Sequence, residues 1–205
     1  GTEALCRVNA GILGEAFVLE ATALGLGTCW VSGTYRRKQI RLPMQENETV
    51  LAVIAVGVPE KPLQAPENRR RKPLDKLMNA VPADGMMLDA AKLVQIAPSA
   101  MNMQPWRMEA LPGAFALTIS DRALLDGGIA LCHAELALRG AHRWVYSAAH
   151  GGITAVAQGK FVPWRNPSVC VFWLDFSIEI DCFHAGGIAS AEATKGQWKQ
   201  TKSVS

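Results

Sequence analysis

The stretch Ala97-Pro98-Ser99-Ala100-Met101-Asn102-Met103-Gln104-Pro105-Trp106 is the most informative in the chain. It follows a helix-periodic segment over Asp84 to Ile96, and Pro98 stops that helix because the residue before a proline avoids helical geometry. After it come Arg107 to Leu111 and Phe115 to Ser120, two runs flanking Pro112-Gly113, which is a hairpin signal. The stretch is thus a loop between a helix and a strand. Its prolines, serine and asparagine suit an ordinary turn, with Trp106 anchored in the core. The same residues also place amide and hydroxyl groups on a rigid frame, where they can hydrogen-bond a flat polar ring.

Upstream, Gly11 to Leu24 reads as a helix with two apolar stripes. Ile12, Ala16, Leu19 and Ala23 form one; Leu13, Phe17, Ala21 and Leu24 form the other. Only Glu15 and Glu20 carry charge, so the pattern predicts a helix buried on nearly every side. Gly25 and Gly27 end it. The loop Gly25-Leu-Gly-Thr-Cys-Trp-Val-Ser-Gly33 follows, then a short polar helix or turn over Arg36 to Leu42. Val50 to Val56 is a continuous apolar run closed by Gly57 and reads as a buried strand. Pro59 to Pro73, rich in proline and charge, reads as an extended linker and as the boundary between two halves. Downstream of the hairpin, Asp126 to Arg139 reads as a third helix, with Ile129, Cys132 and Leu136 on one face. Asp126 is a candidate cap for it. Val169 to Ile180 suits one long strand or two short ones, and the tail from Gly186 is small and polar.

Two segments echo each other. Ala10-Gly11-Ile12 leads through a helix to Trp30-Val31, and Gly127-Gly128-Ile129 leads through a helix to Trp144-Val145. The second copy replaces the Gly-Leu-Gly-Thr turn with Gly140-Ala-His-Arg143. On the residues alone this is compatible with duplication or with chance.

The totals bound the class. The chain has 205 residues, 49% hydrophobic and 19% charged, enough apolar material for a real core. A formal net charge of +3 is too small to indicate a nucleic-acid or membrane partner. The run Arg69-Arg70-Arg71-Lys72 is either a solvated loop or a local anion site. Five cysteines, widely spaced and without a CxxC pair, argue against a disulfide framework or zinc site and for a reducing compartment. Cys132-His133 reads as structural, because adjacent helix residues point apart and no third ligand is evident. Cys29 is either a reactive thiol or a small packed residue. Gly25-Leu-Gly27 is not a dinucleotide fingerprint, because its third glycine is misplaced and a helix precedes it.

The Pro98-Ser-x-x-Asn102-x-Gln104-Pro-Trp106 segment resembles a motif of the nitroreductase family of FMN enzymes. Gly25 to Gly33, with the following apolar strand and basic loop, is similar to that family's second motif. The helix over Asp126 to Glu135 resembles the variant with two half-domains in one chain. The matches run from about Gly11 to Val145. The resemblance implies an α+β fold: a central mixed or antiparallel sheet with packed helices, in two related halves. Residues 1–75 would be the C-terminal part of a first half, 76–165 a second half, and 166–205 an unassigned tail. The motif order is inverted relative to the family, as expected if the chain begins midway through one half. The family's N-terminal Arg-rich phosphate clamp would then lie before Gly1.

Carried over residue by residue, the resemblance implies that Trp30, Val31, Ser32 and Gly33 pass the reactive edge of FMN. Pro98, Ser99, Ala100 and Asn102 would contact it from the other half, and Arg69 and Arg71 would reach its phosphate or ribityl end. One flavin site is expected, because Gly140 to Arg143 has lost the glycine-rich pattern. The activity implied is hydride transfer from NAD(P)H through FMN to an electron-poor small molecule of nitroaromatic or quinone type. The expected setting is a cytoplasmic monomeric pseudo-dimer or homodimer, without nucleic acid or membrane. The rival is a non-catalytic or cofactor-free binding or scaffold module on the same fold, owing to the missing clamp. A dehalogenase or flavin-destructase chemistry on the scaffold is a third reading, since fold does not fix substrate.

Overall fold

A long apolar helix needs a matching face, and here it finds one in a second helix. The computed structural model describes residues 2–36, 39–46, 48–63, 65, 68–138, 140–149 and 151–161, of which Thr2, Gly140, Ala141, Lys160 and Phe161 are described by backbone alone. The expected strand over Val169 to Ile180 and the tail over 166–205 lie outside the described residues, as do Arg37 and Lys38 within the expected polar helix. Helix α1 (Thr2–Ala23) leads to β1 (Gly27–Val31) and β2 (Val53–Gly57), which pair antiparallel as a two-stranded sheet. Then come the one-turn α2 (Leu74–Leu77), α3 (Met86–Ile96), β3 (Trp106–Leu111), β4 (Ala114–Ser120), α4 (Leu124–Ala137), β5 (Gly140–Ala149) and β6 (Gly152–Phe161). The second sheet is antiparallel throughout, in the order β3-β4-β6-β5.

Strand alternation builds the core. Trp106 and Met108 of β3 turn inward between exposed Arg107 and Glu109. Across the ladder Met108 faces Leu117, Leu117 faces Ala155, and Ala155 faces Tyr146. Small Ala155 and Ala157, both fully buried, sit beneath the larger side chains of the neighbouring strands. α4 joins this core. Its residues from Gly127 to Ala134 are all buried, because the helix carries almost no polar side chain to present to water. Its boundary is earlier than the expected Asp126 to Arg139, and Leu136 is only half-buried.

α1 crosses α4 at two glycines. A Cβ added to Gly11 would collide with the Leu125 carbonyl and crowd Gly128 Cα. A Cβ added to Gly128 would collide with the Val8 carbonyl and crowd Gly11 Cα. Each glycine thus faces the carbonyl three residues before the other glycine, which is the contact pattern of a local two-fold axis. The segments that echo in sequence are the segments that cross here. α1 ends as expected at Gly25 (φ 78°). The Leu26 N–H donates to Ala21 O and the Gly25 N–H to Thr22 O, the pairing of a Schellman cap.

Two expectations are corrected. α1 is not buried on nearly every side: Leu13 is 47% and Phe17 50% exposed, so only the stripe through Val8, Ile12, Glu15 and Val18 is covered. The β-branched run expected as a buried strand over Val50 to Val56 forms β2 three residues later, with Ala55, Val56 and Gly57 exposed. It pairs with β1 alone, and a two-stranded sheet with few helical neighbours has no second layer to bury it. Gly27 does not end the helix; it opens β1 opposite Gly57.

Candidate functional site

The loop from Ala97 to Pro105 is shaped by backbone that ordinary residues avoid. Met101 (φ 52°), Asn102 (φ 54°) and Gln104 (φ 45°) all adopt left-handed conformations. Each costs of order 1 kcal/mol or more, so the surroundings must over-determine them. They do so by clasping the loop to residues 70–72. The Arg71 Nη1 donates to Asn102 Oδ1 at 3.0 Å, and the Asn102 Nδ2 donates to Arg70 O at 2.9 Å. The Lys72 backbone N–H donates to Gln104 Oε1 at 2.7 Å, while Gln104 Nε2 donates to Gln95 O at 2.8 Å. Gln95 Nε2 donates to Lys72 O, and Lys72 Nζ donates to Met103 O. Gln104, 2% exposed, is therefore the fully bonded pin of the loop. Within the loop, the Gln104 N–H donates to Ser99 Oγ at 2.9 Å.

α4 anchors the same loop from behind. Asp126 Oδ1 accepts the Ala100 N–H at 3.0 Å. Asp126 thus holds another segment in place, where the sequence suggested a cap for its own helix. Burial raises its pKa, and the Ala100 N–H opposes that by stabilising the ionised form.

The other predicted stretch is anchored to the same helix through Glu15. This carboxylate is 1% exposed and accepts from Trp30 Nε1 at 2.8 Å with one oxygen. Its other oxygen meets His133 Nε2 at 2.9 Å. His133 Nδ1 is buried without a partner. That fits a neutral ring with its proton on Nε2 donating to Glu15, because a bare Nδ1 lone pair costs less than an orphaned N–H. Asp126 and His133 are seven residues apart, so the two anchor points lie about 10 Å apart along α4.

Of the residues the sequence singled out, Arg71 and Asn102 are brought together directly. Ser99 and Ala100 are fixed beside them, with Pro98 half-buried at the helix exit. Arg69 is half-buried and, after burial, is the second cause of the lowered pKa of Arg71. Trp30 and Val31 end β1 opposite Ile54 and Val53, while Ser32 and Gly33 run on, exposed, beyond the ladder. No hydrogen bond among the described residues joins Trp30–Gly33 to Pro98–Asn102. Arg71 is largely occupied internally: its N–H groups make bonds to Ile96 O twice, to Arg70 O and to Asn102 Oδ1. A guanidinium has five N–H groups, so these four bonds leave one.

The residues that position the loops, Glu15, Gln95, Gln104 and Asp126, were missed as such. Glu15 was visible in principle, since a carboxylate on the apolar stripe of a helix, between Ile12 and Val18, requires a buried partner. Among the described residues no cluster of His, Cys, Asp and Glu could hold a metal ion, and no helix is long and apolar enough to cross a membrane.

Residues 1–138 match the family model described as "Putative TM nitroreductase". The chain is also similar to a solved structure titled as a "putative nitroreductase" from Thermotoga maritima MSB8, with a TM-score of 0.56 and 28% identity. The similarity covers 74% of this chain and 64% of that one, so the match spans less than two-thirds of the relative's length. No curated protein matches. With its helix pair, antiparallel sheets and motif loop in the matched region, the chain belongs to this nitroreductase family.

Proposed function

We propose that the chain is the core of an FMN-dependent oxidoreductase. NAD(P)H would reduce it, and it would pass hydride to an electron-poor small molecule of nitroaromatic or quinone type. The observation that carries this reading is the clasped loop: three non-glycine residues in left-handed backbone, locked between a basic segment and α4. Strain held in place by this many bonds is expected where a loop must keep one shape for a ligand.

The groups left over fit a flavin. The Ser99 hydroxyl accepts from Gln104 and keeps its own O–H to donate. Ser32 and Gly33, past the end of the β1 ladder, keep their backbone N–H groups clear of it. The remaining N–H of Arg71, with the positive charge of Arg69 beside it, suits a phosphate or a reduced, anionic ring. When bound, the flavin supplies the hydride chemistry. The residues that would hold it are Trp30, fixed by its bond to Glu15, and Ser99 and Asn102 on the clasped loop, with Trp30 and Pro98 as the apolar groups that would exclude water. No acid–base side chain is required.

Two related halves in one chain suit this reading, because the crossing at Gly11 and Gly128 would bring the two motif loops to one helix pair. A single site suits it too. Residues 32–52 connect β1 to β2, whereas β5 and β6 join through residues 150 and 151, which leaves no counterpart loop. Cys29 and Cys132, which form no disulfide among the described residues, suit a reducing, cytoplasmic setting. The test is a visible spectrum of the purified protein titrated with FMN, followed by NAD(P)H oxidation with a quinone. Flavin bands that shift on binding are expected; a protein that stays colourless with excess FMN would overturn the proposal. One observation favours the rival, a cofactor-free module: the internal bonds of Arg71 leave little of it for a phosphate.

A further inference from the structure

A cavity of about 510 Å3 opens between α2, β3 and the end of β4; Lys72 and Gln104 line it, and Arg71 and Asn102 do not. Neither Trp30–Gly33 nor Pro98–Asn102 lines it. Its size is that of a small-molecule site. Lys72, Lys76 and Arg107 stand on its walls, and among the described residues no Asp or Glu lines it.

Two of the cations are held in position. Arg107 Nη1 donates to Lys76 O at 2.6 Å and Nη2 to Asn79 Oδ1 at 3.0 Å, which fixes the guanidinium plane. Lys72 Nζ donates to Met103 O at 2.6 Å. The Lys76 ammonium has neither a hydrogen bond nor an ion pair among the described residues. Three like charges around one hollow repel one another, and holding them there is unfavourable unless an anion joins them. The lining also includes Ser120, whose hydroxyl accepts the Arg122 N–H and keeps its own O–H to donate. Trp106 lines the cavity too, and its indole N–H is buried without an acceptor.

From these observations we infer that the cavity is a second binding site, for a small phosphate ester. The cations and the hydroxyl take the phosphate. The floor of Leu77 and Ile119 takes the apolar body that a hollow larger than a bare anion has room for. This site does not depend on the flavin reading.

The test is isothermal titration of the protein, in chloride buffer, with adenosine monophosphate, inorganic phosphate and citrate, alongside a separate FMN titration. Adenosine monophosphate is expected to bind more tightly than inorganic phosphate. Lys76→Gln and Arg107→Gln should each weaken it about tenfold, the loss of one charge-assisted hydrogen bond. Lys76→Gln should leave FMN binding unchanged, since the Lys76 side chain makes no hydrogen bond to either loop among the described residues. Three results would overturn the inference: no binding by either phosphate compound, equal binding by the parent protein and Lys76→Gln, or citrate binding in preference to adenosine monophosphate. The Lys76 side chain is exposed and makes no hydrogen bond among the described residues, and its backbone bonds survive the substitution, so the variant does not threaten folding.

Discussion

Glu15 concentrates the energetics of the candidate site in one residue. It satisfies an indole N–H and an imidazole nitrogen from two other elements, and replacing it strands both in a dry interior. Glu15→Ala should therefore cost roughly 3 kcal/mol in urea unfolding. Glu15→Gln, which keeps an acceptor for Trp30, should cost less, and equal losses would show that the bonds carry no weight. Asp126 gives a pH dependence with a definite sign. Its folded pKa is raised, so its contribution to stability is present below the carboxylate range and is lost as pH rises through the folded value. Asp126→Asn retains an oxygen for the Ala100 N–H but cannot ionise. The stability of the variant relative to the parent should rise as pH is raised above the ordinary carboxylate range, read from urea midpoints. Cys132 is a third case. Burial, then the charges of Glu15 and Glu135, push its thiol up to about 12. Iodoacetamide at pH 8 should modify exposed Cys6 and Cys29 in the native protein and leave the Cys132 peptide unmodified until denaturant is added.

At the scale of elements, the α1–α4 crossing is a close one. Backbone meets backbone at Gly11 and Gly128, so no side chain can rotate away to admit a methyl group. Gly128→Ala improves helix propensity by about 1 kcal/mol, yet the forced separation of the helices should exceed this and leave a net loss of about 2 kcal/mol. A thermal midpoint at or above that of the parent would show that the crossing is loose. The hairpin of β3 and β4 was legible because Pro112-Gly113 splits two strand-forming runs, and Gly113 takes the φ of 70° that the turn requires. β2 was displaced because an apolar run states a wish for burial without saying whether a second layer exists to supply it. β5 and β6 were not read at all. Their ten-residue strands mix small, polar and aromatic residues, and pairing with β4 imposes an order that local pattern does not reveal.

For the molecule as a whole, α4 is the common anchor. It carries Asp126 behind one motif loop and His133 behind the Glu15–Trp30 pair of the other. If the two loops form one flavin site, damage at either anchor should weaken FMN binding without touching the ring. The Asp126→Ala and His133→Ala variants, titrated with FMN by fluorescence quenching, should each bind several-fold more weakly. A variant that binds as the parent does would uncouple its loop from the site.

Local chemistry by itself determined a good deal here. Pro98 stopped α3, Gly25 ended α1, Pro112-Gly113 turned the hairpin, and two motif loops were marked for function. Each depends on a few neighbouring φ/ψ preferences, and those travel with the residues. Only tertiary structure decided that Asn102 clasps Arg71, that Gln104 pins Lys72, that the buried helix glutamate Glu15 meets an imidazole 118 positions away, and that β2 stays exposed. Those outcomes turn on which surfaces lose water together, a property of packed elements that no short window of sequence contains.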